Sequence, residues 1–356
     1  MQRVQHARGW SFLPKLTFVI TIGLITAATG FKASAVDVFT DPVGFITITA
    51  EGTSGPGVSP ALSLVGLGMT QIVASRGAIT GIAGTTITVN NTLTAGQFAV
   101  GPNGPLYFIE FLDGANPGLQ DDITGNTATT VTTASDDSGA ITGATTYKIY
   151  PHWTLNSVFG AADQSGLNPI TDQVLIQNPL TQTFTTYFFA TASKSFPTAG
   201  WKQSGQGNTD FGQVPLYNDQ GVLISRTVTT NLNILLVGGV KLGPTIIPLV
   251  GTNNLAANIY ATSAVTLSNS GLFTDGNPSD SLVPITDLVL IHNDAAGTFN
   301  TYFYATASKS FPTAGWKQSG QGNTDFGGTP IGISSFMLIQ LASGHPGFNW
   351  KAPAPY

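Results

Sequence analysis

One stretch of sequence that occurs twice carries most of the residues able to bind a ligand. Residues 186–212 and 301–327 are identical except that Phe189 of the first copy is Tyr304 in the second. Aromatic rings beside amides and a carboxylate suit a sugar, because one sugar face stacks on a ring and the hydroxyls need planar hydrogen-bonding groups. Two such loops predict bivalent binding to a polysaccharide. The candidate residues are Phe196, Trp201, Lys202, Gln203, Asn208 and Asp210 in the first copy, and Phe311, Trp316, Lys317, Gln318, Asn323 and Asp325 in the second.

A purely structural role fits the same loops. Trp is highly buried on average in folded proteins, so Trp201 and Trp316 also fit core anchors at the start of a strand. The identity of the two loops does not decide between these interpretations, because a recent duplication copies every residue, functional or not. The exposure of the two tryptophans is the feature that discriminates between them.

A calcium site is the only cofactor site that the sequence suggests. The segment TDGNPSDS places Asp275, Asn277 and Asp280 on one tight loop, and Ca²⁺ prefers oxygen ligands of this kind. No EF-hand pattern is present. The same residue types are those that turns use, so an ordinary turn explains the loop as well.

No enzyme signature is present in the sequence. G-x-S-x-G, H-E-x-x-H and a glycine-rich phosphate loop are all missing, which predicts a protein without catalytic activity. A glycan-active enzyme is the remaining catalytic alternative, and it requires two carboxylates that converge in space. The acids considered for that role are Glu51, Glu110, Asp113, Asp121 and Asp122. The histidines beyond the N-terminal segment are isolated from one another in sequence: His152, His292 and His345.

The N-terminal residues predict export. Arg3, Arg8 and Lys15 precede an apolar run at 16–31, and Ala33-Ser34-Ala35 is a small-residue cleavage site. A signal peptide over 1–35 would leave a mature chain starting at Val36, and an uncleaved anchor is the alternative. No second apolar run follows, so we expect no integral membrane segment after cleavage. The predicted location is the periplasm, the outer cell surface or the extracellular space.

The composition narrows the class of partner. Charged residues make up 9% of the chain and cysteine is absent, against a usual charged fraction of about 25%. Nucleic acid is disfavoured as a partner, because binding it requires clustered Lys and Arg. A chain without disulfides must be held together by burial and by β-ladders, and one of this length has enough surface to bury.

The elements that must position these residues are predicted to be strands. Closely spaced short strands fill 76–150, which favours a small closed barrel or sandwich. In the second copy, the strand DLVLI, a turn and the alternating strand TFNTYFYAT form a hairpin. The predicted fold is therefore all-β, with a small barrel or sandwich module followed by two related units and little or no helix outside the signal peptide. The predicted domains are 1–35 (signal peptide), 36–147 (barrel-like module), 148–257 (first repeat unit with a connector) and 258–356 (second repeat unit).

The order of several short motifs resembles a known family. The opening DPVGF, the central YKIYPHWTL and the paired VLI, TYF and Trp segments are similar to a family of uncharacterised secreted proteins of Verrucomicrobia and related bacteria. The resemblance covers most of the mature chain and implies export and a β-rich fold. That family has no established activity, so the resemblance supplies no catalytic residue.

The function expected from these features is binding without catalysis. A low-charge, repeat-bearing, exported β protein is predicted to be a structural or adhesive component of the cell surface or extracellular matrix, with a polysaccharide or another envelope protein as its partner. A carbohydrate-binding protein that uses the two Trp loops is the alternative, and a glycan-active enzyme is a third. The two units are also expected to be related by pseudo-two-fold symmetry.

Overall fold

The computed structural model describes residues 41–55, 57–161, 166–293 and 298–356, so the predicted signal peptide lies outside the described residues. The first strands and the α-helix are β1 (Val43–Ala50), β2 (Ala61–Val65), β3 (Ser75–Ala83), β4 (Thr86–Val89), β5 (Tyr107–Phe111), β6 (Gln120–Asn126), β7 (Thr130–Thr133), β8 (Thr146–Pro151), β9 (Trp153–Thr154) and α1 (Leu155–Phe159). There follow β10 (Gln173–Asn178), β11 (Thr183–Ala190), β12 (Gly200–Gln203), β13 (Pro215–Leu216), β14 (Val222–Arg226), β15 (Leu232–Gly239), β16 (Thr245–Leu249), β17 (Asn253–Ala257), a 3-10 turn (Leu267–Asn269), β18 (Leu288–Asn293), β19 (Thr298–Ala305), β20 (Gly315–Gln318), β21 (Phe336–Gln340) and β22 (Phe348–Ala352). The predicted all-β fold is confirmed.

A closed barrel is formed by the six strands between residues 75 and 151. Its strands follow the order β3-β4-β7-β6-β5-β8, and β8 closes it by pairing with both β3 and β5. The interior is filled by inward-facing side chains such as Ile109, Phe111 and Tyr147, all fully buried. Closure removes the unpaired edges that an open sheet of short strands would expose.

The two copies of the repeat form sheets with the same topology. The first sheet has the order β12-β11-β10-β14-β2, and the second has the order β20-β19-β18-β21-β17. Val174 pairs with Tyr187 and Ile224, and Val289 pairs with Tyr302 and Ile339. Each partner in the second sheet lies 115 positions after its counterpart (289 − 174, 302 − 187 and 339 − 224), so strand register is the same in both units.

Each sheet has a two-stranded ribbon beside it. Ribbon β1–β15 accompanies the first unit and ribbon β16–β22 the second. Because β1 and β2 precede the barrel whereas β9 to β15 follow it, the barrel lies within the first unit in sequence. Strand β2 is too short to stand alone, and its backbone groups are satisfied by β14. The second unit has no corresponding insertion.

The two units pack around a pseudo-two-fold axis. Gly66 N–H donates to the carbonyl of Ser334 at 2.8 Å, and Ala257 N–H donates to the carbonyl of Asp219 at 2.8 Å. Asp219 and Ser334 correspond under the offset of 115 (334 − 219), so the two bonds are exchanged symmetrically. A Cβ on Gly66 would lie 2.7 Å from the Cβ of Ala257, which requires glycine at this close approach.

A buried aspartate closes each unit in the same way. Asp172 accepts the backbone N–H of Thr227 at 2.7 Å, and Asp287 accepts that of Ala342 at 2.7 Å. The partner of the aspartate differs between the units: Arg226 lies 3.3 Å from Asp172, whereas the His345 imidazole lies 3.4 Å from Asp287. Within the described ranges, no helix has the length and apolar content to cross a bilayer.

Candidate functional site

The repeated stretch runs from β11 through β12 in the first copy and from β19 through β20 in the second. Its tryptophans lie in β12 and β20 and are part of the core. Trp201 is fully buried, and its indole N–H donates to the carbonyl of Gly160 at 3.0 Å. The rings of Phe159 and Phe189 pack on it at centroid distances of 5.5 and 5.9 Å. Trp316 is 3% exposed. Neither indole presents a face to solvent, so the predicted stacking platform for a sugar is corrected to a pair of core anchors.

The single difference between the two copies also lies in the core. Tyr304, which replaces Phe189, meets Trp316 edge-on at 5.9 Å and stacks on Phe273 at 3.5 Å. Tyr304 is partly buried and packs against the second core, where it meets a different neighbour.

Lys202 and Lys317, which follow the two tryptophans, are buried as well. Lys202 Nζ donates to the carbonyl of Asn208, and Lys317 Nζ to that of Asn323, each at 2.9 Å. Asn208 Nδ2 in turn donates to Thr198 Oγ1 at 2.9 Å. A buried ammonium is tolerated only when its protons find acceptors, and the loop supplies them. These polar groups hold the loop together and do not face a ligand.

The remaining loop residues also contact their own loop or hairpin. Phe196 packs on Phe188, and Phe311 on Phe303, both edge-on at 5.6 Å. Both phenylalanines are half-buried, as are Gln203 and Gln318 in the adjacent strands. The exposed carboxylates of Asp210 and Asp325 accept N–H groups of Gly212 and Gly327 at 3.4 Å.

The suggested calcium ligands form a turn. Asp275 Oδ1 accepts the N–H of Asn277 at 2.8 Å, and Asn277 Oδ1 accepts the N–H of Ser279 at 3.2 Å. Asp280 donates its own N–H to the Asn277 carbonyl at 3.1 Å. The described residues contain no group of three or more His, Asp or Glu side chains placed to hold a metal.

A polar cluster lies where the barrel meets the first unit. Asp122 contacts His152 Nε2 at 2.8 Å and accepts the Tyr217 hydroxyl proton at 2.7 Å. Burial raises the pKa of the nearby Asp219 to about 6, with the Asp122 charge acting in the same direction and His152 opposing it. Of the acids considered for glycan hydrolysis, Asp122 is thus occupied by two neighbours, and Glu110 forms a buried ion pair with Lys241.

Two clefts open between the units, on opposite sides of the pseudo-two-fold axis. The polar cleft has a volume of about 380 Å³ and lies between strands β1 and β2 of the first unit and residues 333–336 of the second, with Glu51 and His292 in its lining. The apolar cleft has a volume of about 270 Å³ and lies between β16 and β17 of the second unit and residues 219–221 of the first. The two clefts are built from corresponding segments.

Corresponding positions in the two clefts carry different side chains. Ser63 Oγ accepts the Glu51 N–H at 2.7 Å, and Asn254 Oδ1 accepts the Val250 N–H at 2.7 Å. Strand pairing places Ser63 opposite Ile224 and Asn254 opposite Ile339. Ile339 lies 115 positions after Ile224, so Ser63 and Asn254 occupy corresponding positions. Glu51 and Val250, whose N–H groups these two side chains accept, therefore correspond as well. His292 likewise corresponds to Gln177 (292 − 177 = 115). The sequence contains all these residues, but no local motif links Glu51 to His292, and only the strand register brings them to one cleft.

An apolar stripe is exposed on ribbon β1–β15. Its members are Phe45 at 72%, Leu235 at 61%, Val43 at 59% and Val237 at 56% exposure. Phe45 lies directly opposite Val237 in the ladder. Since Glu51 corresponds to Val250, Thr47 corresponds to Ile246, four residues earlier in each chain segment. Thr47 lies opposite Leu235, and Ile246 lies opposite Lys351. The ribbon of the second unit therefore has Lys351 at the position of Leu235. The ribbon therefore folds without an apolar residue at this position.

Comparisons with known proteins give no relative for this chain. No family model matches it, no curated protein matches it, and no solved structure matches it.

Proposed function

We propose that this chain is an exported structural or adhesive protein that associates with further copies of itself at the cell surface or in the extracellular matrix. The observation that carries this proposal is the apolar stripe of Val43, Phe45, Leu235 and Val237 on ribbon β1–β15. Soluble proteins seldom expose contiguous apolar patches without a partner. The predicted leader and the resemblance to a secreted family support export.

The chemistry of the stripe favours a second copy of the chain as its occupant. Neither strand of the ribbon carries a charged side chain, so two identical faces can meet without repulsion despite a net charge of −5 on each chain. Thr47, Thr49 and Asn233 continue the same face as a polar rim around the stripe, the anatomy expected of a protein interface. Two flat ribbons related by a two-fold axis would form an isologous contact.

The test is a substitution that gives the first ribbon the side chain of the second. Leu235→Lys places a charge in the centre of the stripe, and we expect it to convert a dimer or larger assembly into a monomer in sedimentation velocity at 5–100 μM, the range of micromolar affinities. Lys351→Leu, the reverse change on the other ribbon, should leave assembly unaltered or increase it. A native chain that stays monomeric throughout this range contradicts the proposal. Mass spectrometry of the secreted product tests export separately through its N-terminal residue.

A further inference from the structure

We infer that the polar cleft is a binding site for a neutral saccharide chain. Its lining includes Thr47, Thr49, Ser63, Glu51 and His292. The Thr49 hydroxyl also donates to Asn233 Oδ1, and Ser63 Oγ accepts the Glu51 N–H. The site is distinct from the repeated Trp loops, and it shares Thr47 and Thr49 with the polar rim of the apolar stripe. If the chain is adhesive, this cleft would give it a glycan as a second partner.

The shape and polarity of the cleft fit a polyol. Its volume of about 380 Å³ falls within the range of small-molecule sites, roughly 300–1,000 Å³. Hydroxyl, carboxylate and imidazole groups together offer donors and acceptors at several points, which matches the alternating donors and acceptors of sugar hydroxyls. Leu62 and Ile333, 56% and 44% exposed, add apolar surface for the C–H faces of a ring.

The charges in the cleft exclude other classes of ligand. Among the described residues of the lining, Glu51 is the only acidic one, and none is Lys or Arg. An anionic ligand would meet an uncompensated carboxylate at close range, which is unfavourable. A bound divalent cation would normally be held by several carboxylates or carbonyl groups, and Glu51 stands alone. A neutral ligand that donates hydroxyl hydrogen bonds to Glu51 satisfies the carboxylate without a counter-ion.

The apolar cleft shows that the fold does not require these polar residues. At the position of Glu51 it has Val250, and at that of Thr49 it has Pro248. Gln177, which corresponds to His292, is used internally: its Nε2 donates to the Asn253 carbonyl and its Oε1 accepts the Leu255 N–H, both at 3.2 Å. Two clefts with the same backbone design thus differ in chemistry: the apolar cleft has Asp219 and Gln220 where the polar cleft has Ser334 and Ser335, and Val250 where the polar cleft has Glu51.

The test is isothermal titration of the protein secreted from the full-length gene. The probes are neutral hexasaccharides of β-linked glucose, β-linked xylose, α-linked glucose and β-linked mannose, with an oligogalacturonate as the acidic comparison. We expect at least one neutral probe to bind more tightly than the acidic one. Glu51→Val and His292→Gln, which introduce the side chains of the apolar cleft, should each weaken that binding at least tenfold. Glu51→Gln should weaken it less than Glu51→Val, because an amide still accepts a hydroxyl proton.

The matched control is Leu180→Ala in the apolar cleft, where Leu180 is 78% exposed. This variant should bind as the native chain does. Val237→Lys should also bind normally, because its ladder partner Phe45 lies outside the cleft lining, and this separates saccharide binding from the apolar stripe. The inference is overturned if no neutral probe binds, if the acidic probe binds best, or if Glu51→Val and Leu180→Ala have the same effect. Circular dichroism of each variant shows whether loss of binding reflects loss of fold.

Discussion

The two repeat units share strand order, register and loop structure, yet they differ at their surfaces. Inside, the 115-position offset preserves the hairpins, the buried tryptophans and the buried aspartates. At the surface, the polar cleft and the apolar cleft occupy corresponding places. Leu235 in the apolar stripe of the first ribbon is replaced by Lys351 in the second ribbon. Side chains needed for packing are thus the same in both units, whereas those in the clefts and on the ribbons have diverged. The molecule therefore contains an internal control for each proposed surface.

Removal of a buried tryptophan should give the largest effect. Trp201→Ala and Trp316→Ala each create a cavity in a packed core, and we expect each to lower the free energy of unfolding by about 3–5 kcal/mol. Urea denaturation followed by circular dichroism measures this loss. A change below roughly 1 kcal/mol in either variant would show that the indole is not a core anchor. The tryptophan would then again be a candidate for contact with a ligand.

Neutralising the buried aspartate should destabilise the first unit more than the second. Asp172→Asn leaves Arg226 buried without its counter-charge, a loss of about 3–5 kcal/mol. Asp287→Asn should cost only about 1–3 kcal/mol, because the neighbour of Asp287 is the His345 imidazole, whose Nδ1 accepts the Gly347 N–H at 3.0 Å, and not a permanently charged guanidinium. Thermal unfolding of both variants under one buffer condition gives the ranking. Equal losses would show that the change from Arg226 to His345 has no energetic consequence.

Asp219, which corresponds to Ser334 in the second unit, should make the free energy of unfolding depend on pH. Burial raises the pKa of Asp219 to about 6, above about 3.9 in an unfolded chain. The folded state therefore binds this proton more tightly than the unfolded state. The resulting contribution to stability is present below about pH 4 and is lost as pH rises through 6.

Asp219→Ser gives the first unit the residue of the second unit. The change should reduce the dependence of the free energy of unfolding on pH. After allowance for partial solvent exposure, we expect a gain of about 1 kcal/mol at pH 8 and little change at pH 4. Asp121, whose pKa is also raised to about 6, first by burial and then by Asp137, leaves a residual slope of the same sign. Urea denaturation at the two pH values measures the difference, and a variant destabilised more at pH 8 than at pH 4 contradicts this reasoning.

Exchange of side chains in the polar cleft should have the smallest effect on stability. Glu51 is exposed and His292 is partly exposed, so Glu51→Val and His292→Gln should each change the free energy of unfolding by no more than about 0.5 kcal/mol. Differential scanning calorimetry checks this. A loss above about 2 kcal/mol would mean that the polar residues are needed for folding and not for a ligand.

Much of the architecture was predictable, because strand signals are local. Alternating side chains, turn residues and the near-identical repeat predict the hairpins and a barrel-like module. The roles of β1 and β2 were not predictable. Both strands precede the barrel in sequence, yet they pair with β15 and β14, which follow the barrel in sequence. Such pairing depends on long-range contacts that no local pattern encodes. The same is true of the polar cleft, whose Glu51 and His292 are far apart in the chain.

The sequence by itself determined the composition, the all-β class, the duplicated loop and the alternation along each strand. Only the tertiary structure decided which face of a strand points inward. In β19, Tyr302 is buried while Phe299 is 38% exposed, although both alternating faces carry aromatic rings. The reason is physical: period-2 alternation separates two faces, but the side that loses its water depends on what the rest of the chain packs against it. The same dependence buries Trp201 and leaves Phe45 exposed.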